Sequence, residues 1–249
     1  MKEEHRWKIL AALGLITLSL ALYTVHFFIF HNSEHILIYL LGDIAFVPIE
    51  VLVVTLIIDQ MLASRERQQR MEKLNMVIGI FFSRLGIPLL GTLSHADPGS
   101  GYLRSILGSG DSRLSADQVR EIDAYLGNPA SGIDGDKMSW EAMKDFLVSN
   151  EAFLMRIVEN PMVFEHESFT DLIFAVNHLT EEIKARNNLS ALPPSDIAHL
   201  TGDTKRVYAR LVPEWMKYME YLRTHYPYLH SLAMRTNPFD ESADVVVRK

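Results

Sequence analysis

Two acids, Asp43 and Glu50, stand inside the apolar run Ile36–Leu62, ILIYLLGDIAFVPIEVLVVTLIIDQML. They are seven residues apart, so in a helix they share nearly one face, roughly 10 Å apart along the axis. A carboxylate at the centre of a bilayer costs about 2.5–3.5 kcal/mol, so such groups face protein or water rather than lipid. Stacked carboxylates on one stripe can pass or sense protons and cations. Pro48 lies between them. Its ring removes one backbone hydrogen bond and meets the carbonyl of Ile44, which predicts a kink that re-aims Asp43. The plainer reading makes the acids hydrogen-bonded packing between helices and the proline a simple bend. Asp59 falls on another azimuth near the inner end, where Arg65 and Arg67 balance it.

Other residues with chemistry are less organised. His26, His31 and His35 gather at the outer end of the apolar region, as wet turn residues or as a proton- or metal-responsive cluster. Glu165, His166, Glu167, His178, Glu181 and Glu182 form the richest set of metal-ligand types, and His178 shares a helix face with Glu181 or Glu182. Only fragments of a di-iron bundle's Glu-x-x-His set are present. Asn128–Lys137 has aspartates but lacks the glycine and the bidentate glutamate of a calcium loop. No zincin, nucleotide-loop or nucleophile-elbow motif occurs. The chain has no cysteine, which removes disulfides and thiolate sites together. The expectation is therefore no enzyme, no cofactor and no bound metal. A formal net charge of -7 with no basic face argues against nucleic acid as a partner.

The elements that hold these residues start with Ile9–Phe30, about 22 residues and enough for roughly 30 Å of hydrocarbon. It is too long for a signal-peptide core and ends without a small-residue cleavage site. The connection from His31 to His35 is a tight turn, which makes the two spans antiparallel neighbours. Lys2, Arg6 and Lys8 precede the first span, Arg65, Arg67, Arg70 and Lys73 follow the second, and the turn has neither residue type. That bias places both termini in the cytoplasm and the protein in the cytoplasmic (inner) membrane as a multi-pass chain. The first span offers the acids only Thr17, Ser19, Tyr23, Thr24 and His26. Self-association around the second span is the simplest way to cover them.

Beyond the hairpin (1–62), Met71, Leu74, Ile78, Phe81 and Leu85 form a three-four seam. It suits either an oligomerising stalk helix over 63–86 or the first core helix of a soluble unit, ended by Gly86-Ile87-Pro88. Ser115-Ala-Asp-Gln118 is a capping box opening a helix that closes at Gly127. Ser139 opens another to Asn160, broken by Pro161. Helices over Glu167–Asn187, Asp196–Thr201, from Asp203 or Thr204 to Tyr226, and Tyr228–Arg235 complete an all-α cytoplasmic domain (87–236). A polar tail (237–249) follows, with one period-two stretch, Val245–Val247.

The strings GDIAFVPIEVLVVTLIIDQML and YPYLHSLAMRTNPFD resemble those of a family of uncharacterised two-span membrane proteins from bacteria and archaea, over nearly the whole chain. The resemblance implies a hairpin followed by a cytoplasmic helical domain and supplies no catalytic residues. The functional expectation is a homo-oligomer whose second spans line an ion or proton pathway or sensor coupled to that domain. The competing one is a membrane-anchored interaction module with a cytoplasmic protein partner and no transport.

Overall fold

The computed structural model describes residues 2–108, 114–128 and 132–247, with side chains from residue 6 onward. Most of the Gly/Ser/Asp loop before the capping box, and part of the Asn128–Lys137 loop, lie outside the described residues. Among those described the protein is all-α, with no strand. The expected period-two stretch at Val245–Val247 is not one. By its internal contacts the chain divides into Met1–Arg67 and Gln68–Lys249.

The first unit holds α1 (Lys2–Phe30) and most of α2 (Ser33–Phe81). α1 ends on His31, whose φ of 47° puts it in the left-handed region and whose N–H donates to the Phe27 carbonyl at 2.9 Å. That is a C-terminal cap without glycine, at a residue type that tolerates the conformation better than most. Asn32 then caps α2, its Oδ1 accepting from the His35 N–H at 3.2 Å. Arg6–Phe30 and the helical run Ser33–Ala96 are each long and apolar enough to cross a membrane. Their large apolar side chains, from Trp7 to Leu62, are almost all exposed within the unit.

The second unit begins with the last turns of α2. Leu74, Ile78, Phe81 and Leu85 are fully buried in its core and Met71 packs against them half-buried. The seam therefore belongs to this unit's own interior, the core-helix reading, and is not free to join copies of the chain. Gly86-Ile87-Pro88 does not end the helix. The backbone widens into one π turn at Phe82–Gly86, with the Ile87 N–H donating to the Phe82 carbonyl, and resumes as α3 (Ile87–Ala96), with Pro88 in its first turn. Only residues 97–99 separate α3 from α4 (Ser100–Leu107).

The capping box forms as read: Ser115 Oγ accepts from the Gln118 N–H at 3.2 Å, and Gln118 Oε1 accepts from the Ser115 N–H at 2.8 Å, opening α5 (Ala116–Gly127). The single helix expected over Ser139–Asn160 is two, α6 (Trp140–Ser149) and α7 (Glu151–Val158), and Ser139 makes no capping bond. The break is at Asn150, with φ -103° and ψ 1°. Its side chain donates to the Phe146 carbonyl at 2.9 Å and accepts from Arg84 Nε at 3.3 Å.

α8 (Glu167–Lys184) buries Phe169, Leu172, Ile173, Val176, Leu179 and Ile183, the spacing of one helix face. It packs along α9 (Pro194–His225), the longest helix of the unit and the element most others lean on. α9 merges the two helices expected from Asp196 and from Asp203 or Thr204. Thr201 and Thr204 do not cap; they return their hydroxyls to the Ile197 and Leu200 carbonyls at 2.7 and 2.8 Å. Pro213 sits inside α9. After α10 (Pro227–Arg235), the segment following it turns back into the core. Phe239 is buried with its ring 5.3 Å from that of Trp215, and Asn237 donates to the Leu107 carbonyl at 2.9 Å.

Candidate functional site

In the first unit, Asp43, Pro48 and Glu50 all lie within α2, which stays helical through the proline. Both acids are exposed, and no described side chain bonds either of them. Two of the hydroxyls of α1 are already engaged: Thr17 and Thr24 donate to the Leu13 and Leu20 carbonyls of their own helix, each at 2.7 Å. The acids thus stand unpartnered in a band of exposed apolar side chains that includes Tyr39, Ile44, Phe46, Val47 and Val51. Water would solvate the acids and leave the band costly; a bilayer would do the reverse.

The three histidines around the α1–α2 connection do not converge on one point. His26 stacks on His35 with ring centroids 6.3 Å apart, and His35 meets Tyr39 edge-on at 4.7 Å. His31, turned by its left-handed backbone, lies beside Phe27. Their arrangement is that of packed aromatic rings at a helix connection.

In the second unit the six-residue acid and histidine set comes apart. His166 caps α8, its Nδ1 accepting from the Phe169 N–H at 3.3 Å. Glu165 pairs with Arg70 at 3.3 Å, and Glu181 takes a hydrogen bond from Asn177 at 3.2 Å. His178 and Glu182, four residues apart on α8, instead meet His199 and Asp203, four apart on α9. His178 Nε2 lies 3.5 Å and His199 Nε2 3.4 Å from the same oxygen, Asp203 Oδ2. Glu182 Oε2 is 3.5 Å from His199 Nε2. Ligand atoms of Glu182, His199 and Asp203 all fall within 4.8 Å of one another, the one such group among the described residues.

The surroundings are charged and ordered. Arg186 donates to Glu182 Oε2 at 2.8 Å and forks onto both oxygens of Asp196 at 2.6 and 2.7 Å. Its hydrogen bonds hold the Glu182 and Asp196 carboxyls below their usual range, and Asp196 above all pushes the guanidinium up in turn. Arg206 pairs with Asp203 Oδ1. Asp203 is only 4% exposed at its side chain, while His178 and His199 are about half exposed at 48% and 52%. The site is therefore a shallow surface notch with a buried carboxylate as its floor.

Sequence reasoning reached His178 and Glu182 but missed His199 and Asp203. The signal was there, since His199-x-x-x-Asp203 repeats the spacing of His178-x-x-x-Glu182. Reading a helix break between Thr201 and Asp203 severed the second pair.

Two family models match the chain. One is described as "Uncharacterized protein MJ1433, C-terminal helical domain" and matches residues 70–235; the other, "MJ1433, N-terminal helical domain", matches residues 2–62. The chain is also similar to "Uncharacterized protein MJ1433" of Methanocaldococcus jannaschii, at 42% identity over 244 residues that cover 98% of each chain. No solved structure matches.

Proposed function

The chain belongs to the MJ1433 family of helical proteins, and from that premise we propose that it is an integral protein of the cytoplasmic membrane with both termini inside. Its second spans gather in a homo-oligomer, where Asp43 and Glu50 line a polar path for protons or cations, or sense them. The single observation that carries this reading is the pair of unpartnered acids on one stripe of α2 amid exposed apolar side chains. Self-association places each stripe against its copies and away from lipid. Pro48 frees a backbone carbonyl beside the path. The acids and the core residues Leu74 and Ile78 of the second unit belong to the same helix, α2, so a tilt of the span has a covalent route to the helical unit.

The test is purified protein in liposomes loaded with a pH- or cation-sensitive dye. The expected result is flux that Asp43→Asn with Glu50→Gln abolishes, from a particle whose mass in detergent is a multiple of one chain. A monomer with no flux under either ion gradient refutes the proposal.

A second reading, a tethered interaction module, is favoured by one feature of the second unit. An open groove of about 800 Å³ is lined by Met76, Ile80, Tyr218, Tyr226, Leu229 and Leu232 among others. Under that reading the double substitution changes neither oligomeric state nor cellular phenotype, whereas loss of residues 86–249 abolishes the phenotype.

A further inference from the structure

We propose that the notch between α8 and α9 binds one divalent transition-metal ion, zinc foremost, through His178, Glu182, His199 and Asp203. α8 and α9 form an antiparallel hairpin in which cross-helix partners step by about one turn: Arg186 faces Asp196, Glu182 faces His199, and His178 faces Asp203. The last two layers bring ligand atoms of Glu182, His199 and Asp203 within 4.8 Å of one another, with His178 at the edge of that group, 3.5 Å from Asp203 Oδ2.

The spacing suits a metal. Zinc binds imidazole nitrogen and carboxylate oxygen at about 2.0–2.2 Å, so ligand atoms around a tetrahedral ion stand roughly 3.2–3.6 Å apart. The three nitrogen–oxygen separations here are 3.4, 3.5 and 3.5 Å. They are too long and poorly directed for hydrogen bonds. Accordingly Asp203 Oδ2, buried and aimed at both imidazoles, has no hydrogen-bond partner. A buried carboxylate oxygen left without a partner is costly. A cation held against it removes that cost.

The flanking arginines orient the carboxylates. Arg206 takes the other Asp203 oxygen and leaves Oδ2 to the notch, a carboxylate held from behind as ligands around bound metals typically are. Arg186 donates to Glu182 Oε2, the oxygen nearest His199, and fixes that carboxylate beside the notch. Two nitrogens in the donor set select against calcium and magnesium, which take oxygen ligands, and toward zinc or its first-row neighbours.

The experiment uses the full, untagged chain in detergent, stripped with a chelator. Zinc is titrated by calorimetry, and cobalt(II) is added as a visible-absorption probe. The expected result is one equivalent of zinc bound, with intense cobalt bands of a four-coordinate site that zinc bleaches and magnesium does not. His199→Gln and Asp203→Asn each weaken binding by about 100-fold or more, whereas His166→Gln, at the α8 cap, leaves it unchanged. Zinc at about 100 times its Kd raises the melting temperature of the second unit by about 5–10 °C, and not that of the His199→Gln variant. His199 is half exposed, so that variant keeps the test decisive if Asp203→Asn fails to fold. Absence of stoichiometric zinc binding overturns the proposal, and so does equal affinity in the His178→Gln/His199→Gln double variant.

Discussion

Replacing Gly86 by alanine sets two effects against each other, and the structure decides between them. Alanine gains about 0.5–1 kcal/mol over glycine inside a helix, from the smaller entropy lost on folding. At Gly86, however, a Cβ would stand 2.6 Å from Cδ1 of Phe82 and 3.0 Å from Cε1 of Phe81. Both rings are fully buried, and each is held by another ring: Phe82 stacks on Tyr218 at 4.9 Å and Phe81 meets Phe169 at 5.4 Å. Neither can swing aside freely, so the overpacking cost of about 1–3 kcal/mol applies in full. The net expectation for Gly86→Ala is a loss of about 0.5–2 kcal/mol. Gly202 in α9 is the control, because it is exposed and a Cβ there meets nothing within 4 Å. Gly202→Ala should gain about 0.5–1 kcal/mol. Urea unfolding of the full chain in detergent, followed by tryptophan fluorescence, reads both. Trp140 and Trp215 are buried in the second unit while Trp7 is 71% exposed, so the signal reports that unit. The reasoning is refuted if Gly86→Ala is as stable as the parent chain or moves with Gly202→Ala.

Three further outcomes follow from named contacts. Ser115→Ala removes one half of the capping box and should cost about 1 kcal/mol, with α5 losing hydrogen-exchange protection first. Lys217→Met strips the cation from Glu214, a carboxylate only 3% exposed that takes its hydrogen bond at 2.6 Å; a loss of about 1–3 kcal/mol is expected, recovered in part by adding Glu214→Gln. Burial, and then its hydrogen bond to Asp97 at 2.7 Å, push the Tyr125 phenol up to about 12. The folded state therefore favours the neutral phenol, so this contribution is intact below the ordinary tyrosine value of about 10 and is lost as pH rises from there to about 12. Tyrosinate absorbance against pH should lose one late-titrating phenol in Tyr125→Phe, while the buried Tyr208, also raised chiefly by burial, still titrates late.

The helical class and most helix starts were legible because their signals are local. Ser115 with Gln118 is a complete motif within four residues, and the α8 stripe repeats at helical spacing. Breaks were misjudged where tertiary contacts override local signals. Asn150 interrupts a stripe that reads as continuous because Arg84, far away in sequence, holds its side chain. The Asp203 and Thr204 pair looks like a cap and is instead buried in α9, where Asp203 faces histidines from two helices. Asp43 and Glu50 were visible for the opposite reason. Charge inside a long apolar run stands out without any knowledge of the fold.

The π turn at Phe82–Gly86 also acts as a phase corrector. In an unbroken α-helix each residue advances about 100°, and the α3 stripe of Leu89, Leu90 and Leu93 would then lie roughly 80–100° round from the seam of Leu74, Ile78, Phe81 and Leu85. One extra residue accommodated in the wide turn takes back about 100° and brings the two stripes onto a common side. Deleting the exposed Ser83 would restore the ordinary pitch and force the chain to choose which stripe to bury.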